Sequence, residues 1–250
     1  MKLSIRLLLF IALSYTALAA SSYSFRKYSH VRDFYEPLIK KTIDICLQNN
    51  IPPAAVLAIA GVESGYGRGY ISKITGNILS LGANKNDPML PPVTLPSHNG
   101  EVLILESEVK KHLKSMKKRA PSLKKDYRPS SLAGSTKRLD YFLLHPKEKQ
   151  RANIQCIEEF ASKWINEKNR FAPFREARAK MEKIVQNRGK IALLDEAVSK
   201  EFVQTIGGRE NSFNYRKTWP VKVIKVMKKT GLVELSKDIH VQNKTFNEVW

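Results

Sequence analysis

Pro52-Pro53-Ala54-Ala55-Val56-Leu57-Ala58-Ile59-Ala60-Gly61-Val62 runs into Glu63-Ser64-Gly65-Tyr66-Gly67, and the reading of this stretch decides the fold. Almost every residue up to Val62 is small or aliphatic, so a helix here has to be buried on most of its surface. The two prolines suit its first turn, where a missing N–H costs nothing. Val56, Ile59 and Ala60 precede Glu63 at helical spacings, which sets a carboxylate on the same stripe as core residues. Partial desolvation there disfavours the ionised form and raises the pKa, so the acid can hold a proton near neutral pH and give it to a leaving group. Gly65, Gly67 and Gly69 end the helix and leave backbone room for a ligand. An exposed helix end with a glycine stop is the competing reading of the same five residues.

Working outward, the first residues read as an export signal. Lys2 and Arg6 form a basic start, Leu7 to Leu13 an apolar run, and Ala17-Leu18-Ala19 a cleavage site, so residues 1–19 are expected to be removed after export. An uncleaved anchor is the alternative. A domain over residues 20–236 and a weakly ordered tail over 237–250 are expected to follow. Cys46 and Cys156 lie inside helix-like apolar patterns, where they are either a disulfide pair or buried free thiols.

The net charge of +20 draws polyanions. Combined with an export signal it points to an acidic envelope polymer or an anionic envelope surface, and away from nucleic acid. The densest basic run, Lys110 to Lys125, carries Val109, Leu113 and Met116 at helical spacing and reads as a solvated helix face.

Helices dominate the rest. Apolar periodicity predicts them over 35–48, 52–64, 136–144, 154–166, 174–186, 191–203 and 219–229, with Gly231 stopping the last. Val93-Thr94-Leu95 and Val102-Leu103-Ile104 flank an Asn99-Gly100 turn and read as a hairpin, the only sheet expected. The fold class is therefore mainly α within α+β, divided as in lysozyme into a helical lobe and a small β-lobe around a cleft.

The run from Ala54 to Gly67, followed by Gly76-Asn77-Ile78-Leu79-Ser80-Leu81-Gly82, resembles the bacterial glucosaminidase family of peptidoglycan hydrolases. Val93-Thr94-Leu95-Pro96 resembles the start of that family's hairpin, and Phe174-Arg175-Glu176-Ala177-Arg178-Ala179 an Arg-rich helix of its Bax-like branch. The resemblance is good from Phe34 to Leu105, thin beyond it, and resumes from Tyr215 to Leu232. It implies Glu63 as the general acid on a glycosidic oxygen, Tyr66 as an aromatic lining the sugar cleft or packing on the helix stop, and Asn77 as a loop holder or an acetamido ligand. Glu101 is the candidate second carboxylate, shifted from the family position, with Glu106 and Glu108 as further possibilities. Tyr215 is the nearest match to a late family tyrosine, although Gly207-Gly208-Arg209 departs from the pattern.

Other chemistries find little support. The five histidines are scattered, and there is no His-Glu-x-x-His, Cys-x-x-Cys, phosphate-binding Gly-Lys loop or Gly-x-Ser-x-Gly elbow. No metal and no cofactor is expected. The expectation is a monomeric, exported β-N-acetylglucosaminidase acting on the glycan strands of peptidoglycan. A muramidase or lytic transglycosylase on the same fold, and a non-catalytic envelope-binding module, stay open beside it.

Overall fold

The computed structural model describes residues 23–250, so the expected export signal lies outside the described residues. The chain opens with α1 (Ser29–Tyr35), α2 (Ile39–Gln48), α3 (Pro53–Ser64) and α4 (Tyr70–Thr75). The single helix expected over 35–48 begins only at Ile39, because Pro37 and the turn around it separate it from α1. In α3 every residue from Ala54 to Ala60 is fully buried, as an all-apolar helix demands. It runs through the centre of the main core, in contact with α2 and with three helices from the C-terminal half.

The hairpin forms as β1 (Val93–His98) and β2 (Glu101–Val102), with His98 opposite Glu101 and positive φ at Asn99 and Gly100 in the two-residue turn. It is not the whole sheet. After α5 (Glu106–Lys111) the lysine run leaves its helix, and β3 (Met116–Arg119) pairs antiparallel with the free edge of β1, Val93 opposite Arg119 and Pro96 opposite Met116. The apolar stripe expected to hold that helix is largely unburied: Leu113 and Met116 are exposed and Val109 is only half-buried. Without tertiary burial a short helix is marginal, and the backbone takes its hydrogen bonds from β1 instead. A second, small core of Ile74, Leu90, Val93, Leu95 and Ile104 sits beneath this sheet.

The remaining helices are α6 (Tyr141–Leu144), α7 (Pro146–Glu159), α8 (Ala172–Arg188), α9 (Glu196–Ile206), α10 (Trp219–Thr230), α11 (Leu232–Val241) and α12 (Phe246–Val249). The helix expected over 136–144 shrinks to α6, and the pattern at 191–203 splits at Asp195 between a 3-10 turn and α9. Gly231 stops α10 in a left-handed conformation as expected. The expected loose tail is instead helical. Phe246, Val249 and Trp250 pack against the main core, the Trp250 ring lies 6.4 Å from Tyr35, and a Thr245–Glu248 capping box opens α12. Cys46 and Cys156 are buried free thiols. No helix among the described residues is long and apolar enough to cross a membrane.

Candidate active site

The end of α3 is a tightly wound turn. Gly65, Tyr66 and Gly67 all have positive φ, at 56°, 56° and 74°, a conformation that glycine adopts without cost and tyrosine only when its surroundings impose it. The imposition is visible. The Tyr66 N–H donates to the Gly61 carbonyl at 3.0 Å and the Gly69 N–H to the Ser64 carbonyl at 2.8 Å. Buried Ser64 donates its hydroxyl to the Ala60 carbonyl and accepts from the Gly67 N–H at 2.8 Å. Glu63 is therefore the penultimate residue of a buried helix, followed by a turn whose backbone is hydrogen-bonded back onto that helix.

The Glu63 carboxylate is half-buried. The indole N–H of Trp219 donates to its Oε1 at 2.7 Å. Desolvation by burial is the largest influence and raises the pKa above the usual carboxylate range. The Trp219 hydrogen bond, Lys124, Asn214 and Arg216 favour the charged form and offset it only in part. The indole donor fixes Oε1, and Asn214 adds a second side-chain hydrogen bond to the carboxylate.

Trp219 is itself held from several sides. It is the first residue of α10, followed by Pro220, and is 3% exposed. Its ring passes so close to Gly207 that a Cβ there would collide with it. Phe213 lies against it at 5.5 Å between ring centroids, and Phe160 meets Phe213 edge-on at 5.6 Å. The loop between α9 and α10 is pinned by the Gly208 N–H on the Asn214 carbonyl and the Phe213 N–H on the Ile206 carbonyl. Asn214, whose side chain hydrogen-bonds the Glu63 carboxylate, and Arg216, whose charge acts on it, flank Tyr215, which is 70% exposed. The late tyrosine expected to meet substrate thus stands on the loop that closes over the acid.

The other expected site residues have different surroundings. Asn77 has the surroundings of the loop holder: it is 1% exposed and its carboxamide bonds the backbone, donating to the carbonyls of Leu81 and Lys125 at 2.9 Å each and accepting the Leu81 N–H at 2.8 Å. It clamps the loop after α4 to the segment that carries Lys124. Tyr66 packs edge-on against Phe34 and Tyr35 at centroid distances of 6.1 and 6.0 Å, with its hydroxyl buried and unpartnered and its pKa pushed up to about 12 by burial. One side of it lines a cavity of about 500 Å3 that includes Arg68 and Lys73 and not Glu63.

Glu101 is gripped by two cations. Arg68 donates to Oε1 through Nε and Nη2, and the Lys73 ammonium lies 3.6 Å from Oε2. The Arg68 hydrogen bond first, then Lys73, holds its pKa below the usual carboxylate range. These pairs tie the hairpin tip to the turn after Glu63. Glu106 and Glu108 pair with Lys110 and Lys111 on the surface of α5.

Sequence reasoning missed Trp219, Asn214, Lys124 and Arg216. Trp219-Pro220 was legible as a helix start, and a tryptophan at such a position carries one N–H that burial obliges to find an acceptor. Among the described residues no group of three or more His, Cys, Asp or Glu side chains is arranged to hold a metal ion.

No protein-family model and no curated protein matches the chain. Among solved structures, the catalytic domain of the autolysin Auto from Listeria monocytogenes is similar at 15% identity and a TM-score of 0.45, over 83% of this chain and 88% of that one.

Proposed function

We propose that this protein is an exported glycoside hydrolase of peptidoglycan, acting as a monomer on glycan strands, with Glu63 as the general acid. One observation carries the reading: a half-buried carboxyl at the end of a rigid helix, its pKa raised by burial and one oxygen fixed by the Trp219 N–H. A glycosidic oxygen leaves only if it is protonated as the bond breaks, and an acid that keeps its proton near neutral pH supplies that step. Tyr215, exposed between Asn214 and Arg216, which both act on the acid, offers a flat apolar face to a sugar ring. The motif resemblance and the leader-like first residues name peptidoglycan as the polymer, and the +20 charge suits an acidic one. The bond assigned is the one beyond N-acetylglucosamine.

A specific feature favours a second reading of the mechanism. The charged groups that act on Glu63 are Lys124 and Arg216, and the expected second carboxylate, Glu101, is committed to Arg68 and Lys73. A site with one acid suits assistance by the sugar's own N-acetyl group, or the intramolecular closure of a lytic transglycosylase, better than a two-carboxylate pair. Mass spectrometry of digested sacculi separates these. New reducing N-acetylglucosamine ends support the glucosaminidase, anhydro-N-acetylmuramic acid ends the transglycosylase, and binding without released sugar overturns both.

A further inference from the structure

The cavity beside the turn after α3 gathers four cations from separate parts of the chain: Arg68 on the turn, Lys73 in α4, and Lys147 and Lys149 at the start of α7. Asp33 is the one carboxylate on this wall. Arg68 and Lys73 are shared with Glu101, but among the described residues neither Lys147 nor Lys149 has an acidic partner. The inner pair is sheltered, with the Lys73 side chain 18% exposed and Lys149 half-buried. Burial, and then the charge of Lys73, hold the Lys149 ammonium below the usual lysine range, so the two repel each other across the cavity. The first turn of the 14-residue helix α7 also opens here, adding the positive end of its dipole.

Glu101 answers only Arg68 and Lys73, and an excess of cations on a concave site, here Lys147 and Lys149, is relieved by an anion. The rest of the wall decides which kind. Phe34, Pro37, Leu38 and Leu143 make much of it apolar, which does nothing for a small hydrated oxyanion and suits a carboxylate attached to an aliphatic body. We propose that this cavity binds the carboxylate end of a short peptide with small apolar side chains. For the source of that peptide the proposal rests on the peptidoglycan reading, since the acidic peptides carried by the glycan would lie near the bond presented to Glu63. The turn that follows Glu63 lines the pocket with Tyr66, Gly67 and Arg68, and through it the enzyme reads strand and substituent together.

Calorimetry on the full chain tests this with the dipeptide N-acetyl-Ala-Glu, which has two free carboxylates, and its diamide. The diacid is expected to bind about tenfold or more tighter than the diamide. Lys149→Met and Lys73→Met should each remove most of that preference, Lys149→Arg should keep it, and Glu63→Gln should bind like the parent. Equal affinity of the parent for diacid and diamide overturns the site, a result that needs no variant to fold. An unchanged preference in Lys149→Met, or displacement of the diacid by an equal concentration of inorganic phosphate, overturns it too. Loss of sacculus cleavage with the preference intact counts only against the glycosidase reading.

Discussion

The indole N–H of Trp219 donates to Oε1 of Glu63 at 2.7 Å, joining residues 156 positions apart at the point where the buried helix meets the loop before α10. Its effect on the acid is double. It fixes the orientation of the carboxyl, and it lowers a pKa that burial alone would raise further.

Trp219→Phe keeps most of the packing and removes the donor. With a group that stabilises the carboxylate gone, the Glu63 pKa rises, and the proton needed for catalysis is held to higher pH. The alkaline limb of the pH–rate profile is therefore expected to move upward, while kcat falls about tenfold from lost orientation. A profile that moves to lower pH, or does not move, assigns the indole a packing role only.

Gly207→Ala drives a methyl group into the Trp219 ring. Overpacking of this kind costs about 1–3 kcal/mol, read by denaturant unfolding. The variant that does fold should show the same pH–rate shift as Trp219→Phe, because the displaced indole no longer reaches Glu63.

Asn77→Ala leaves the buried Leu81 N–H without its acceptor and takes a donor from the carbonyls of Leu81 and Lys125, of which the Leu81 carbonyl keeps the Lys125 N–H. Each such loss costs about 1–3 kcal/mol, so stability should drop well beyond a surface substitution while KM for sacculi stays near the parent value in the folded fraction. A raised KM at unchanged stability would return Asn77 to the role of sugar ligand.

Glu101→Gln separates the one-acid route from a two-carboxylate one. Glu101 and Arg68 are 40% and 52% exposed, so water screens the main pair and about 1 kcal/mol or less of stability is at stake. Turnover within about threefold of the parent is the expected result for a one-acid site, and a loss of about a hundredfold would make Glu101 the missing base or nucleophile.

How much of this was legible in the sequence follows from the range of the interactions. The burial of α3, the proline start and the glycine turn are local properties, and Val56, Ile59 and Ala60 aligned Glu63 with the core before any fold was drawn. The Asn99-Gly100 turn belongs to the same class. What escaped is long-range. Lys117 and Lys118 look helical by spacing, yet their backbone pairs with Leu95 and Thr94. The carboxamide of Asn77 reaches Lys125, and the C-terminal residues gain their order by covering Tyr35 with Trp250. The partner of Glu63 lies near the other end of the chain, and no local pattern reports where a buried donor will point.

Digestion of purified sacculi by Glu63→Gln, with the fold checked by circular dichroism, tests the central claim most directly. Glutamine keeps the shape and still accepts the Trp219 N–H, so binding and folding should persist while the rate of sugar release falls about a hundredfold or more. Release at the parent rate would show that the proton comes from elsewhere.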